Sequence, residues 1–532
     1  LEKRDNRVYC ILGDGEHNEG SVWESIMSAS HYNLDNLVSI VDLNGLQIDG
    51  CTDDVMCLGS LKEKYKSFGW EVLEIDGHDM KAIIDAFEKA AEIKGKPTAI
   101  IARTVKGKGV SYAENVVGYH GAPPKGGRSG EESLDKALED IGDPQFTREK
   151  VDSLLKIASD YQKTVDEAMK KKLPKFSKSY WWNDTDDMKV DMVPTRNGFG
   201  DALAEVGDDK NIVAHGADIT SSIRMDKFYA DFPERKNRFF NVGIAEANMV
   251  EVASGFAREG KSAFVGSYGV FATGRAWDQI RTTACYNKFN VNIANAHGGI
   301  SVGPDGATHQ ALEEIALINY LPDIVLTVPC DSNETYKSTK AVTYMEGPSV
   351  IRYAREATPV VTDKKTPYEF GVANVIRFRG RTEKFADAFE WKLGTEYEPE
   401  GEAVSLIACG PMVPEAMRAA WILKEEYGIE SRIIDVHTVK PIDEETINKA
   451  AADTSAVITC EEHQVGGFGN IIAGVINRSK DIITPLAMDM VGVQDTFGES
   501  GAPWELMIDF ELVAENIAEK AKILADKKDK LV

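Results

Sequence analysis

Short β-branched runs alternate with helix-like segments along most of the chain, the pattern of α/β layers built on parallel sheets. In the first block, residues 8–12 (VYCIL), 37–41 and 98–102 predict buried strands, and residues 20–31 predict a helix. Residues 126–190 break the pattern, being rich in Lys, Asp, Glu and Ser without a strand signal, and predict a partly helical linker. Trp181 and Trp182 are expected to pin its far end, because two indole rings rarely stay fully solvated. A second block opens near Val193, with strands predicted at 211–214, 239–242, 262–265, 291–294 and 323–328. Residues 375–402 read as a polar, acidic excursion, and a smaller third block follows with strands at 404–409, 431–436 and 456–459. The expected fold class is α/β: three domains with mainly parallel sheets at 1–125, 191–360 and 403–532. Linkers at 126–190 and 361–402 join them, the second carrying an insertion.

Composition narrows the class. A chain of 532 residues exceeds one ordinary core, and 43% hydrophobic with 28% charged residues excludes whole-chain disorder, collagen and coiled coil. Sixty-one basic against 86 acidic residues give a net charge of −25. That balance opposes nucleic acid and anionic lipid as partners, while leaving room for a local basic pocket. Seven cysteines, an odd number, form no disulfide framework or paired zinc knuckle, and no apolar run is long enough to span a bilayer. The expectation is a reduced, cytoplasmic protein. The chain starts at Leu1 on a charged stretch, without an initiator Met or a signal peptide.

Chemistry enters at strand ends. The first run leads into Gly13-Asp14-Gly15, and the second into Asp42-Leu43-Asn44-Gly45-Leu46. Parallel sheets bind ligands at the carboxyl ends of their strands, where glycines admit a phosphate and a helix N-terminus favours negative charge. Asp14, the Asn44 amide and the Leu46 carbonyl offer three hard oxygens, which with diphosphate oxygens and water suit octahedral Mg²⁺. Either motif alone is a turn signal; the pair at successive strand ends favours a metal–diphosphate site. In the second block, residues 243–249 begin a helix and place Glu246 in an apolar stretch, where a carboxylate caps, pairs locally or does chemistry. Tyr268 and Phe271 stand three apart, the spacing of core aromatics.

The run GDGEHNEGSVWES followed by NLVSIVDLNGLQIDG resembles the thiamin-diphosphate motif of transketolases, and the resemblance continues in family order almost to the last residue. It implies two thiamin-diphosphate-binding-fold domains and a transketolase C-terminal domain, with Asp14, Gly15 and Asn44 at the cofactor and Asp14, Asn44 and Leu46 on Mg²⁺ (or Ca²⁺ or Mn²⁺). It also implies Glu19 and Glu24 in a carboxylate network between two cofactors, and His120, in Tyr119-His120-Gly-Ala-Pro123, as a diphosphate and substrate contact. Glu246 is implied as the buried acid that hydrogen-bonds the aminopyrimidine and creates the ylid. Tyr268 and Phe271 are implied around that ring, and Asp218 as a further cofactor contact. His297 and His309 would contact sugar hydroxyls and shuttle protons, and Asp305 would read a donor hydroxyl. Arg196, Ser222 and Arg355 would bind the sugar phosphate, for which the planar guanidinium is well suited. Many family members carry Asp where this chain has Gly298.

The implied activity is transfer of a two-carbon ketol unit from a ketose phosphate to an aldose phosphate, in the pentose phosphate pathway, by a homodimer with active sites at the subunit interface. Two alternatives stand beside it: a 1-deoxyxylulose-5-phosphate synthase-like enzyme, and a truncated subunit incompetent for the cofactor. Transketolases carry on the order of a hundred residues before the Gly-Asp-Gly strand, a substantial part of a domain. The first domain is therefore expected to be N-terminally incomplete, with a separate N-terminal polypeptide as one way to complete it. No chemistry is assigned to Glu461-Glu462-His463 in the third block.

Overall fold

The computed structural model describes residues 5–124, 130–142, 148–480, 482 and 486–528. Positions 126–129 and 143–147 of the expected linker lie outside the described residues. The chain forms two compact units: Leu1–Gln162 with Ala217–Ile219 and Asn241–Ala245, and Lys163–Gly216 with Thr220–Phe240 and Glu246–Val532.

Unit 1 is built on four parallel strands, β1 (Val8–Gly13), β2 (Leu37–Leu43), β3 (Glu71–Asp76) and β4 (Thr98–Arg103), in the order β1-β2-β4-β3. Successive side chains of a strand point to opposite faces, and the sequence uses both. Val41, Ala99 and Ile101 pack with Ile26 and Ala29 of helix α1 (Gly20–His31). Val38 and Ile100 turn the other way and pack with Ala86 and Ala90 of α2 (Met80–Glu92). Central strands buried on both faces read as continuous apolar runs, which is why β2 and β4 were predictable. The expectation of a buried strand at 8–12 is corrected. Among the described residues β1 has a neighbour on one side only, and Ile11 is 72% exposed. An apolar run marks a strand, but its place at the sheet edge decides its burial.

Among the described residues unit 2 holds two large sheets, besides a two-stranded antiparallel pair of Met192–Pro194 with Ala357–Pro359. The first comprises β5 (Ile212–Gly216), β6 (Phe239–Asn241), β7 (Ser262–Tyr268), β8 (Val291–Ala296), β9 (Val325–Thr327) and β10 (Ser349–Tyr353). The second comprises β11 (Asn374–Phe378), β12 (Phe389–Leu393), β13 (Val404–Ala408), β14 (Ser431–Asp435), β16 (Ala456–Gln464) and β17 (Ala487–Val493). Between β14 and β16 in sequence lies β15 (Thr438–Lys440), which leaves its neighbours and pairs antiparallel with β9 of the first sheet. The orders are β15-β9-β10-β8-β7-β5-β6 and β12-β11-β14-β13-β16-β17.

The excursion at 375–402 is partly structured. Strands β11 and β12 form an antiparallel pair that extends the second sheet through β14. Its strand signal was hidden by charge: Arg379 pairs with Glu390 across the hairpin and with Glu400 beyond it, and Arg377 pairs with Glu400 and Glu402 beyond it. Cross-strand ion pairs stabilise such a face without apolar alternation. Trp182 donates to Glu415 at 2.6 Å, and the Arg418 guanidinium lies 5.0 Å from both the Trp181 and Trp182 rings. The two indoles do anchor the segment, on helix α6 (Met412–Tyr427).

Candidate active site

In unit 1 the parallel register sets Gly13 opposite Asp42, so the residues that follow β1 and β2 emerge together at the carboxyl edge. Asp14 is buried there: Oδ1 accepts the Gly15 N–H at 2.9 Å and Oδ2 the Gly45 N–H at 2.7 Å. One carboxylate thus ties the two loops. Burial raises the Asp14 pKa above the ordinary carboxylate range, against the lowering effect of those two N–H groups. Asn44 Oδ1 accepts the Leu46 N–H at 3.0 Å, an Asx turn that Gly45 completes with φ of 77°. At Gly15 an added Cβ would sit 3.2 Å from Gln47 Cβ, so backbone lies open where a side chain would crowd.

His17 lies inside the same motif, and its sequence context gave no role. It is buried, with Nδ1 2.9 Å from the Gly13 carbonyl and Nε2 3.0 Å from the Tyr65 hydroxyl. It braces the Gly-Asp-Gly turn from below. His120 is half-buried with Nδ1 lacking a partner, and burial, then Lys106, lowers its pKa. Glu19 occupies the position just before α1, half-buried, whereas Glu24 is exposed on that helix.

Asp218, implied as a cofactor contact, holds the loop beyond Asn44. Its oxygens accept the Ile48 N–H at 3.2 Å and the Asp49 N–H at 2.9 Å, and its backbone is left-handed, φ 62°. Burial pushes its pKa up to about 6 from 3.8. A carboxyl raised on folding stabilises the fold below its unfolded pKa and loses that contribution as pH rises through the folded value. Asp218→Asn is therefore expected to reduce the fall in melting temperature between about pH 4 and pH 7. Parallel melting curves for variant and wild type across that range would contradict it.

The second group lies wholly in unit 2. Glu246 opens α4 (Glu246–Arg258) and is 4% exposed. The Ser267 hydroxyl donates to Oε1 at 3.3 Å, and Oε2 is buried without a partner. Burial raises its pKa, so the carboxyl retains its proton to a higher pH than a solvated one. Next along β7, the Tyr268 ring lies 4.2 Å from His297, tilted by 37° to it, and 6.3 Å from Phe271. His309 sits edge-on to both aromatics, at 5.8 and 5.4 Å. Ser222 Oγ joins the group, 3.1 Å from the Tyr268 hydroxyl and 3.4 Å from His297 Nε2. Burial, then the charges of Arg196 and Arg355, holds the His297 pKa well below its usual value, favouring a neutral imidazole. Arg355 pairs with Asp305 at 3.1 Å, and Arg196 donates to the Ser222 carbonyl at 2.8 Å. Burial, then Arg224 and Arg355, lowers the Arg196 pKa, the mark of a site with clustered cations. Arg224 was not singled out in the sequence.

The donor sets fit the implied groups. Asp14 and Asn44 supply hard oxygens of the kind a divalent cation takes. An aminopyrimidine would find in Glu246 Oε2 a buried polar atom with no protein partner, and in Tyr268 and Phe271 apolar faces. His297, His309 and Asp305 with Arg196 and Arg355 bring together groups of the kind that carry protons and bind anions.

Comparison with known proteins agrees with this division of labour. Three family models match: "Transketolase, thiamine diphosphate binding domain" at residues 1–179, "Transketolase, pyrimidine binding domain" at 191–360, and "Transketolase, C-terminal domain" at 394–517. Mouse transketolase-like protein 2 is 34% identical over 528 residues, 98% of this chain and 76% of that protein. Human transketolase is 30% identical over 535 residues, 99% of this chain and 77% of its own length. Among solved structures, a "split gene transketolase, inactive beta4 tetramer" is 36% identical, with a TM-score of 0.52 over 63% of this chain and 99% of that one. Campylobacter jejuni transketolase shares the fold at 23% identity and a TM-score of 0.51, covering 97% of this chain and 77% of that one. The chain belongs to the transketolase family.

Proposed function

We propose that the protein transfers a two-carbon ketol unit from a ketose phosphate to an aldose phosphate, using thiamin diphosphate and a divalent cation, Mg²⁺ or a substitute such as Ca²⁺ or Mn²⁺. The observation that carries this reading is Glu246: a buried carboxyl with an unpaired Oε2, beside Ser267, at the head of the Tyr268–Phe271–His297–His309 group. When bound, the cofactor supplies a nucleophilic carbon and an electron sink, chemistry that side chains lack. The chain does the rest. Asp14 and Asn44 hold the cation, and Leu46 offers its carbonyl. Gly15 admits the diphosphate and His120 contacts it. Glu246 holds a proton at Oε2 against the aminopyrimidine. His297 and His309 hold and move protons at the sugar hydroxyls, and Asp305 reads one of them. Arg196, Arg355 and Ser222 bind the phosphate and orient the sugar, which lowers the entropic part of the barrier.

The test is a pair of assays on the full chain with thiamin diphosphate and Mg²⁺. Xylulose 5-phosphate with ribose 5-phosphate is expected to turn over, and pyruvate with glyceraldehyde 3-phosphate is not. Turnover of the second pair alone would replace this reading with the deoxyxylulose-phosphate synthase one; silence in both, with no cofactor binding, would favour a non-catalytic transketolase-like subunit.

The proposal extends to a twofold homodimer with active sites at the subunit interface, one copy supplying Asp14 and Asn44 and the other Glu246 and Tyr268. The exposed apolar edge of β1 supports a further polypeptide segment covering it, in the same chain or a separate one, since parallel sheets are ordinarily buried. A separate chain accords with the split-gene transketolase. All seven cysteines are free thiols, and no helix among the described residues is long and apolar enough to cross a membrane. The free thiols support a reducing, cytoplasmic setting.

A further inference from the structure

The residues Glu461-Glu462-His463, on β16, have no part in the chemistry above, yet two of them reach a buried charge cluster beneath the His297 loop. Arg352 on β10 is fully buried, 3.3 Å from Glu314 Oε1 through Nε and 2.8 Å from Glu462 Oε1 through Nη1. His463 Nε2 lies 2.9 Å from the same Glu314 oxygen. Glu314 is the first residue of the short helix α5 (Glu314–Asn319).

That cluster fills the space directly under the loop. A Cβ on Gly298 would stand 2.6 Å from Glu314 Oε1 and would overlap Arg352 Nε; one on Gly299 would overlap the Glu462 carboxyl and stand 2.5 Å from Arg352 Nη2. The loop is therefore seated on charged side chains with no room for a methyl group. Its backbone is also bonded to them, since the Ser301 N–H donates to Glu462 Oε2 at 3.3 Å. His297 adopts left-handed backbone, φ 56°, a conformation that a residue with a Cβ holds only where its surroundings support it, whereas Gly299, φ 90°, takes positive φ freely.

We propose that Glu462, acting with Arg352, is a positioning residue for His297: the second sheet of unit 2 sets the placement of an imidazole carried by the first. The inference rests on the reading of His297 as a sugar contact, but the placement can be measured without any reaction. Burial matters because a charge pair removed from water is stiff when intact: both partners would be left in a costly state if it opened. A displacement of about an ångström at a reacting group is enough to slow chemistry by one to two orders of magnitude.

The test uses full-length protein with ¹³C-labelled histidine. The chain has nine histidines, and the His297 imidazole resonance is assigned by its loss in His297→Gln. Glu462→Asp keeps the charge facing Arg352 and withdraws the carboxylate from Ser301 and the loop. It is expected to move the His297 resonance and to lower kcat about tenfold, with donor KM changed less than about twofold. Glu462→Gln, which keeps the reach and an acceptor for Ser301, is expected to give a smaller displacement. A folded Glu462→Asp with the wild-type His297 resonance overturns the proposal. Should that variant fail to fold, an unmoved resonance in Glu462→Gln overturns it instead. Wild-type protein silent in the two-carbon transfer assay would count against the functional reading, and the resonance would still decide the positioning role.

Discussion

Glu246→Gln is expected to lower kcat for ketol transfer by about a thousandfold, the middle of the range for loss of a positioned proton donor or acceptor. The substitution is nearly isosteric. Its amide can still accept from Ser267, which now meets Oε1 at 3.3 Å, but it cannot give up or take a proton where Oε2 stands unpaired. Because burial already favours the neutral carboxyl, replacing it with a neutral amide removes little charge from the folded state. Stability is expected to change by no more than about 1 kcal/mol. Steady-state kinetics with xylulose and ribose 5-phosphates, alongside a thermal melt, provide the measurement. A variant retaining more than a tenth of wild-type kcat would remove Glu246 from the chemistry, and collapse of the melt would recast it as a structural residue.

Asp14→Asn should abolish stabilisation by Mg²⁺ and thiamin diphosphate together. In the wild type Asp14 is buried between the Gly15 and Gly45 N–H groups, with its pKa raised by desolvation. A divalent cation beside it reverses that balance, favouring the ionised carboxylate and gaining affinity from it. The amide keeps the size and one acceptor but offers the cation no charge. At ligand concentrations near 100 times Kd, the wild type is expected to gain about 2.7 kcal/mol and the variant close to none. Differential scanning calorimetry with and without the cation–cofactor pair reads both. Equal gains for the two proteins would place the cation elsewhere.

Much of this architecture was legible because parallel strands announce themselves. The strands β2, β4, β7 and β8 place Val, Ile, Ala and Phe in the core, and the motifs follow strand ends, where parallel folds place their ligands. What the sequence concealed was partnership. The edge position of β1 depends on which strands flank it, which composition does not encode. The hairpin β11–β12 carries charges where a strand normally shows apolar alternation, paired with Glu390 on β12 and with Glu400 and Glu402 beyond it. His17, Arg224 and Glu462 are polar residues whose meaning lies in contacts with residues remote in sequence or in the shape of one turn. His17 meets Tyr65, 48 positions away, and Glu462 meets Ser301, 161 positions away. Local periodicity carries no trace of such pairs. Asp14, Asn44 and Glu246 were accessible because spacing and family resemblance converged on them.

The excursion of β15 has a thermodynamic consequence. A segment lying between β14 and β16 in sequence completes the edge of the other sheet, antiparallel to β9. Separating the two sheets would strip hydrogen bonds from β9 and leave β15 unpaired, at the same time as it exposed the Arg352–Glu462 charges. The second and third sequence blocks are consequently one cooperative folding unit. Cutting the chain between them would yield fragments that each lack a strand or a partner charge, and heat should melt both sheets in a single transition.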